Sequence, residues 1–172
     1  DPADSLTEWK NQPPDYGQIS LFGEYITEHW SRQIIADTLK NNLVSIQSLN
    51  EALSRNNFPD TFIDVYRQWL IANILNDTSS NSKLGYTRSE LSGFKIRPTK
   101  TISNLEDSIV VAIADTIKDW QARGYEISQF AKGQRDILKI NFSSPSLASF
   151  NITYVIVKQD GSKQVFSFNP TP

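Results

Sequence analysis

Hydrophobic residues in the first half of the chain recur every three or four positions, which is the period of a helix that buries one face. The first such stripe is formed by Ile19, Phe22, Ile26 and Trp30 and widened by Leu21 and Tyr25. Two prolines, Pro13 and Pro14, precede it and oppose helix formation where they stand. We therefore expect the first helix to begin at Tyr16 or Gly17.

Two shorter helices are predicted to follow. The segment Arg32–Lys40 presents Ile34, Ile35 and Leu39 on one face, and Ser31 stands where an N-terminal capping residue is needed. The spacing of Ser48 and Glu51 is typical of a capping box, which predicts a helix over Leu49–Ser54.

The fourth helix has the strongest pattern. Asp60 or Thr61 can cap its start, and the periodicity ends near Asn76. Its apolar face consists of Phe62, Val65, Tyr66, Trp69 and Asn73. We read the Asn73 amide as a buried structural group, because a polar side chain on such a face must find hydrogen-bond partners.

The second half of the chain has strand-like patterns. Residues 77–101 lose periodicity and are expected to form a long connection, with one short strand around Phe94–Ile96. The segments ILKINF and FNITYVIV read as strands, and QDGS between YVIVK and KQVFSF predicts a hairpin with Asp160 and Gly161 at the turn.

Residues 103–124 allow two interpretations. Ser103 and Glu106 have capping spacing, Gly124 can end a helix, and the apolar positions between them fit a helical period. The β-branched run SIVVAI and the nearby GYEI instead favour a pair of strands.

These elements define an α+β chain: an N-terminal all-α subdomain of about four helices followed by a small antiparallel β-sandwich-like domain. We predict a helical subdomain over residues 1–86, a linker over 87–102 and a β-rich domain over 103–172.

The composition of the chain limits the classes of function that we expect. The net charge of −2 comes without a basic stripe, so nucleic acid is not an expected partner. No apolar stretch reaches the roughly 18 to 20 residues that span a bilayer. The chain contains no cysteine, which excludes disulfides and thiol chemistry, and no methionine even at position 1, which predicts a mature or excised segment.

Candidate catalytic residues are scarce. The chain has one histidine, His29, and Glu28 is adjacent to it instead of one helical turn away, so the spacing of a zinc site is missing. We expect no metal ligand in this chain and read His29 as a polar residue near a helix end. A serine triad lacks a suitable base, and the seven glycines do not cluster as in a phosphate loop.

A resemblance emerges from longer segments. The stretch LTEWKNQPPDYGQISLFGEYITEHW, then LNEAL, FIDVYRQWLIANILND and GY, resembles the region downstream of the zinc motif in secreted bacterial and archaeal metallopeptidases of the gluzincin type. The match covers about residues 5 to 86. Its pattern residues are Tyr16 and Gly17, then Trp69, Ala72, Asn73, Asp77 and Tyr86. TIKDWQARGYEI and ILKINF look like the β domain that often follows, which would favour strands for the ambiguous segment.

The resemblance implies a function for the whole protein. This chain would be the C-terminal portion of a secreted or extracytoplasmic zinc metallopeptidase, inactive in isolation, with the zinc held by upstream residues and a peptide or protein as substrate. Tyr16 would donate a hydrogen bond to the oxyanion formed during peptide hydrolysis. The alternative is a noncatalytic extracellular binding or adhesion module.

Overall fold

The computed structural model describes residues 4–103, 111–128, 139–144 and 148–169. Contacts between residues divide the chain after residue 129 into two compact units. The boundaries predicted at residues 86 and 102 remain predictions. In the described ranges, no helix is long and apolar enough to cross a membrane.

The first unit begins with four α-helices, as predicted. They are α1 (Pro13–His29), α2 (Arg32–Lys40), α3 (Ser45–Arg55) and α4 (Phe62–Leu75). Two short 3-10 turns follow at Ser82–Leu84 and Ser89–Leu91. Two three-residue strands, β1 (Lys100–Ile102) and β2 (Tyr125–Ile127), then pair in parallel, with Lys100 opposite Tyr125. The α+β class is therefore confirmed at the level of helices followed by small sheets.

The core of this unit is aromatic. Phe22 of α1 meets Trp69 of α4 edge to face at 5.1 Å between ring centroids, and Phe62 lies beside Phe22 at 6.0 Å. Such pairs stabilise by about 0.5–1.5 kcal/mol beyond the area they bury. The remaining buried members include Tyr25, Ile26, Trp30, Ile34, Leu53, Val65, Tyr66 and Tyr86.

The start of α1 corrects the first prediction. The helix begins at Pro13, so both prolines lie in its first turn. A proline is tolerated there because its missing N–H would have no partner within the helix anyway. Ile19, predicted on the buried stripe, is half exposed.

The second helix has the predicted bounds, and the Ser31 hydroxyl accepts a hydrogen bond from the Gln33 N–H at 3.1 Å. Its predicted face is only partly right. Ile34 is fully buried and Ile35 packs against the core, but Leu39 is 83% exposed. Among the described residues, none covers the C-terminal end of this face.

The third helix starts earlier than predicted, at Ser45. Ser48 therefore lies inside the helix and is not its cap. Its buried hydroxyl donates to the Thr38 carbonyl and is also paired with Asn41 Oδ1, both at 2.9 Å. The predicted capping box is wrong because this serine connects α3 to the end of α2.

The fourth helix confirms the sequence pattern in full. Thr61 precedes its first residue, the Thr61 N–H donates to the Asp64 carboxylate at 2.9 Å, and Asn76 ends it. Every residue of the predicted apolar face is buried, Asn73 included.

The connection after α4 differs from the prediction. Phe94–Ile96 is not a strand; instead, the Ile96 N–H donates to the Asn73 carbonyl at 2.8 Å. In the ambiguous segment, residues 104–110 lie outside the described residues, and residues 111–124 form neither helix nor strand. Trp120 packs edge-on against Phe62, and its carbonyl accepts from the Tyr66 hydroxyl at 2.6 Å.

In the second unit, the predicted hairpin is confirmed. Strands β3 (Ile152–Val157) and β4 (Lys163–Phe168) pair antiparallel, with Tyr154 opposite Phe166. Gly161 adopts a φ of +82°, which a residue without a Cβ adopts at no steric cost. Of the predicted strand ILKINF, residues 139–142 are not in a strand, and the first two residues lie outside the described ranges. The described β structure of this unit is a hairpin.

The two faces of α2 yield a stability prediction. Ile34→Ala should lower the free energy of unfolding by about 2–5 kcal/mol, because it removes a fully buried side chain from the core. Leu39→Ala, on the same helix, is the matched control and should change it by less than about 0.5 kcal/mol. Denaturant unfolding followed by circular dichroism measures both. Equal losses of unfolding free energy in the two variants would contradict the burial of Ile34 and the exposure of Leu39.

Candidate functional site

Tyr16, the predicted site residue, lies in the first turn of α1 with its side chain pointing into solvent. The residue is 52% exposed. Its hydroxyl donates a hydrogen bond to Asn11 Oδ1 at 2.6 Å, and its ring meets the Trp9 ring edge to face at 4.8 Å. The phenol is thus accessible but held at both its hydroxyl and its ring.

The turn that holds Tyr16 is itself fixed by Asp15. One oxygen of this buried carboxylate, Oδ2, accepts from the Lys10 N–H at 3.0 Å and from the Gln12 N–H at 2.8 Å. A carboxylate in the first turn also suits the positive end of the helix dipole. Asn11, between those two N–H donors, has a left-handed backbone with φ +58°.

A shallow groove of about 280 Å³ runs along another side of α1. It is lined by Pro14, Gly17, Gln18, Leu21, Trp69, Phe94 and Ile96. At about 100° per residue, Tyr16 points roughly 200° around the helix from Pro14. Tyr16 does not line this groove.

The pattern residues of α4 are brought together with Tyr86 in the interior. The Tyr86 hydroxyl donates to Asn73 Oδ1 at 2.5 Å. Burial raises the pKa of Tyr86 well above its usual range, and the nearby Trp69 indole N–H opposes this only in part. A phenol so buried and so weakly acidic serves as a structural donor to Asn73. The expectation for Asn73 is met in part: its Oδ1 has a partner, whereas its buried Nδ2 has none among the described residues.

Asn76 fixes the connection that follows α4. It ends the helix with φ +38°, and its Nδ2 donates to the Leu91 carbonyl at 2.6 Å and the Phe94 carbonyl at 2.7 Å. Its Oδ1 accepts from the Tyr86 N–H at 2.9 Å. One side chain thus satisfies backbone groups of a segment without regular structure.

Residues at the C-terminal end of α1 form hydrogen bonds with the connection that follows α4. The His29 side chain is 3% exposed, and its Nε2 lies 2.9 Å from the Gly85 carbonyl, which can only accept, so Nε2 carries the proton. The Glu28 carboxylate accepts from the Thr87 N–H at 2.9 Å and the Arg88 N–H at 3.3 Å. Burial lowers the pKa of His29, opposed by the hydrogen bond to Gly85 and by the charge of Glu28.

These residues do not fit a zinc ion. The only histidine is buried against a backbone carbonyl, and the described ranges contain no group of three or more histidine, cysteine or carboxylate side chains placed to hold a metal. No chemical step through zinc follows from the residues that the structure describes.

The sequence pattern points to Tyr16 but not to the residues that hold its surroundings. Asn11 has a left-handed backbone, and the sequence indicates this only by an asparagine close to two prolines. The periodicity predicts a helix end near Asn76, where asparagine is common in the left-handed conformation, but no local pattern predicts its contacts with residues up to 18 positions later.

Comparisons of the chain with protein-family models, with curated proteins and with solved structures give no match. The resemblance to gluzincins therefore rests on segments of the sequence alone.

Two glycines provide a matched test of the connection. A Cβ at Gly85 would lie 2.6 Å from the Asp77 backbone nitrogen, so Gly85→Ala should destabilise by about 1–3 kcal/mol. Gly23→Ala, in the interior of α1 with nothing within 4 Å of the added methyl, should stabilise by about 0.5–1 kcal/mol. The unfolding free energies of both variants measure this difference; a Gly85→Ala protein as stable as the wild type would refute the close approach.

The buried histidine predicts a pH dependence. The pKa of His29 in the folded chain is below its ordinary value of 6.5, so the unfolded chain binds the proton more readily. The corresponding stability is present above pH 6.5 and is lost as the pH falls through the folded pKa. The free energy of unfolding of the wild type should be lower at pH 5.5 than at pH 7.5. His29→Gln should lose this dependence, and an unchanged slope in that variant would assign the effect to other groups.

Proposed function

We propose that the chain is the C-terminal portion of a secreted gluzincin-type zinc metallopeptidase. Its helical part would form one wall of the substrate cleft, and its β part would be an accessory domain with β-sandwich architecture. The observation that carries this proposal is the position of Tyr16: an exposed phenol on the first turn of a long helix, with its ring and hydroxyl held in place by Trp9 and Asn11.

The chemistry of this position suits a transition-state donor. Hydrolysis of a peptide bond places negative charge on the former carbonyl oxygen, and a donor contributes most when it is already aimed at that charge. The Tyr16 O–H can supply such a hydrogen bond once it turns from Asn11 Oδ1, to which it donates in the absence of substrate. The turn around Asp15 keeps the side chain near one position, which limits the reorganisation needed during the reaction.

The other pattern residues support the proposal through the scaffold. Trp69 is 2% exposed in the aromatic core, and Asn73 and Tyr86 form a buried hydrogen bond that holds the segment after α4. Residue types with these contacts tolerate few replacements, because a change leaves a cavity or an unpaired polar atom. Their recurrence in a family motif is then explained by packing.

The remaining catalytic groups would lie in an upstream part of the whole protein. Zinc would be bound there, since His29 is committed to the Gly85 carbonyl. The 172-residue chain alone is expected to hydrolyse no peptide.

A second candidate is a noncatalytic extracellular binding or adhesion module. One face of the hairpin favours it: Tyr154 and Phe166 stack with ring centroids 5.0 Å apart, and both side chains are partly exposed, as is Phe168. Exposed aromatic groups of this kind are common at binding surfaces. Stoichiometric zinc in the full-length protein would favour the peptidase over this module.

The peptidase proposal predicts that removal of the Tyr16 hydroxyl lowers the rate of peptide hydrolysis. In the full-length protein, Tyr16→Phe should lower kcat by about 10²–10³-fold with the fold intact, because an oxyanion donor is removed. Tyr154→Phe, also an exposed tyrosine, is the control and should leave kcat unchanged. Steady-state kinetics on a peptide substrate and zinc analysis of the same samples are the measurements. Full activity of Tyr16→Phe, or peptidase activity of the isolated chain, would contradict the proposal.

A further inference from the structure

The last two turns of α1 hold a short part of the connection that follows α4. This part, residues 83–88, is called the strap. The residues of α1 that contact it lie one helical turn apart in two adjacent pairs: Glu24, Tyr25, Glu28 and His29. We propose that His29 makes the strap an acid-sensitive latch, which leaves α1 when the imidazole takes up a proton. The latch does not depend on the proposed function.

The strap is held mainly through its backbone. The Tyr25 hydroxyl donates to the Lys83 carbonyl at 2.6 Å, and the His29 Nε2–H donates to the Gly85 carbonyl at 2.9 Å. The Glu28 carboxylate accepts from the last two N–H groups of the strap. Among phenol, imidazole and carboxylate groups, only the imidazole ordinarily changes its charge near neutral pH. The contact made by His29 is therefore the one on which mild acid acts.

A proton taken up by His29 must go to Nδ1, because Nε2 already donates to the Gly85 carbonyl. Nδ1 has no hydrogen bond to any of the described residues, and the side chain is only 3% exposed. The ring lies edge to face against Tyr25, at 4.5 Å between centroids. The imidazolium would be a buried charge with an unpaired donor, which costs free energy. Departure of the strap uncovers the ring, and water can then pair with the donor.

The charges around His29 leave the protonated form unfavourable. On α1, Glu28 Oε2 lies 3.9 Å from His29 Nε2, beyond hydrogen-bond distance, and is already bonded to the strap. On the strap, the positive charge of Lys83 opposes a second one. Asp60, which precedes α4, is 3.4 Å from the Lys83 ammonium. Burial outweighs the hydrogen bond to Gly85 and the charge of Glu28, so the pKa of His29 is lowered from its ordinary value of 6.5.

The other titratable groups beside the strap do not account for a change near neutral pH. Tyr25 and Tyr86 are buried phenols, and burial raises the pKa of each well above its usual range. Arg88, the last residue of the strap, forms an ion pair with Glu24. Because the chain contains a single histidine, His29 is the group that links the strap to mild acid.

Release of the strap is coupled to proton uptake. In the released strap the exposed imidazole titrates near its ordinary pKa of 6.5, and in the held strap it titrates lower. The stability that neutral His29 gives the held strap is fully present above pH 6.5 and is lost as the pH falls from there through the lowered pKa. Release also reaches the groove beside α1, because the ring of Tyr86 in the strap contacts the ring of Phe94, which lines that groove.

Hydrogen exchange of single amides in the 172-residue chain tests the latch. The Tyr86 N–H reports on the strap, because its acceptor, Asn76 Oδ1, does not titrate. Its opening equilibrium, corrected for the intrinsic exchange rate, should rise severalfold from pH 7.5 to 5.5, up to about tenfold, the limit that one proton sets here. The Asn57 N–H, which donates to the Ser54 carbonyl at the end of α3, is a local reference and should change by less than about twofold.

Two variants separate the imidazole from the other contacts. His29→Gln keeps an N–H donor for the Gly85 carbonyl but cannot take up a proton, so the opening equilibrium at Tyr86 should no longer depend on pH. Tyr25→Phe is the matched control, since it removes the other donor to a strap carbonyl; it should raise this equilibrium at both pH values and keep their ratio. In the wild type, the NMR signal of the single imidazole should titrate below pH 6.5.

A change of less than about twofold at Tyr86, or an acid-dependent change that persists in His29→Gln, would overturn the latch. Equal protection of the Tyr86 and Val65 amides would also overturn it, because Val65 is buried in α4 and the strap would then open only on global unfolding. An imidazole that titrates at or above pH 6.5 would overturn it as well, since acid would then not favour release.

Discussion

The edge-to-face contact between Phe22 and Trp69 joins the two longest helices of the first unit, and the other elements are arranged around it. Phe62 extends the aromatic contact at the start of α4, where Trp120 packs against it from a segment more than fifty residues later. Because aromatic rings bury large areas and prefer specific geometries, this core fixes the relative position of α1 and α4. The first turn of α1 carries Tyr16. Its position therefore depends on packing of Phe22 further along the same helix.

A second constraint is the need to satisfy backbone polar groups where the chain leaves the helices. Between residues 77 and 99 the structure has only two short 3-10 turns, yet this connection approaches the core closely at Gly85 and Tyr86. Asn76 at the end of α4 and Glu28 at the end of α1 supply hydrogen bonds to its backbone. Side chains replace the regular ladder of a helix or sheet, and the connection becomes part of the folded unit.

The site follows from these constraints in a simple way. The rigid part of the unit positions a turn, Asp15 closes that turn, and the turn presents an oriented phenol to solvent. The hydroxyl of this tyrosine donates to Asn11 Oδ1, and it can donate to another acceptor only after it leaves that oxygen. We propose that this one group serves a catalytic centre whose other residues lie elsewhere in the whole protein.

The sequence by itself determined the elements with local signals: the bounds of α2, the face of α4 and the hairpin turn at Asp160 and Gly161, since periodicity, capping and turn chemistry act over a few residues. It also pointed to Tyr16, although only through a resemblance. Tertiary structure decided the rest. Periodicity cannot tell that Leu39 is exposed while Ile34 is buried, and the Ser48 spacing cannot tell that its hydroxyl donates to the Thr38 carbonyl. The pairing of β1 with β2, the contacts of Asn76 and the left-handed turn at Asn11 depend on partners or conformations that only the assembled chain brings into place, because burial and hydrogen bonding are properties of neighbours in space.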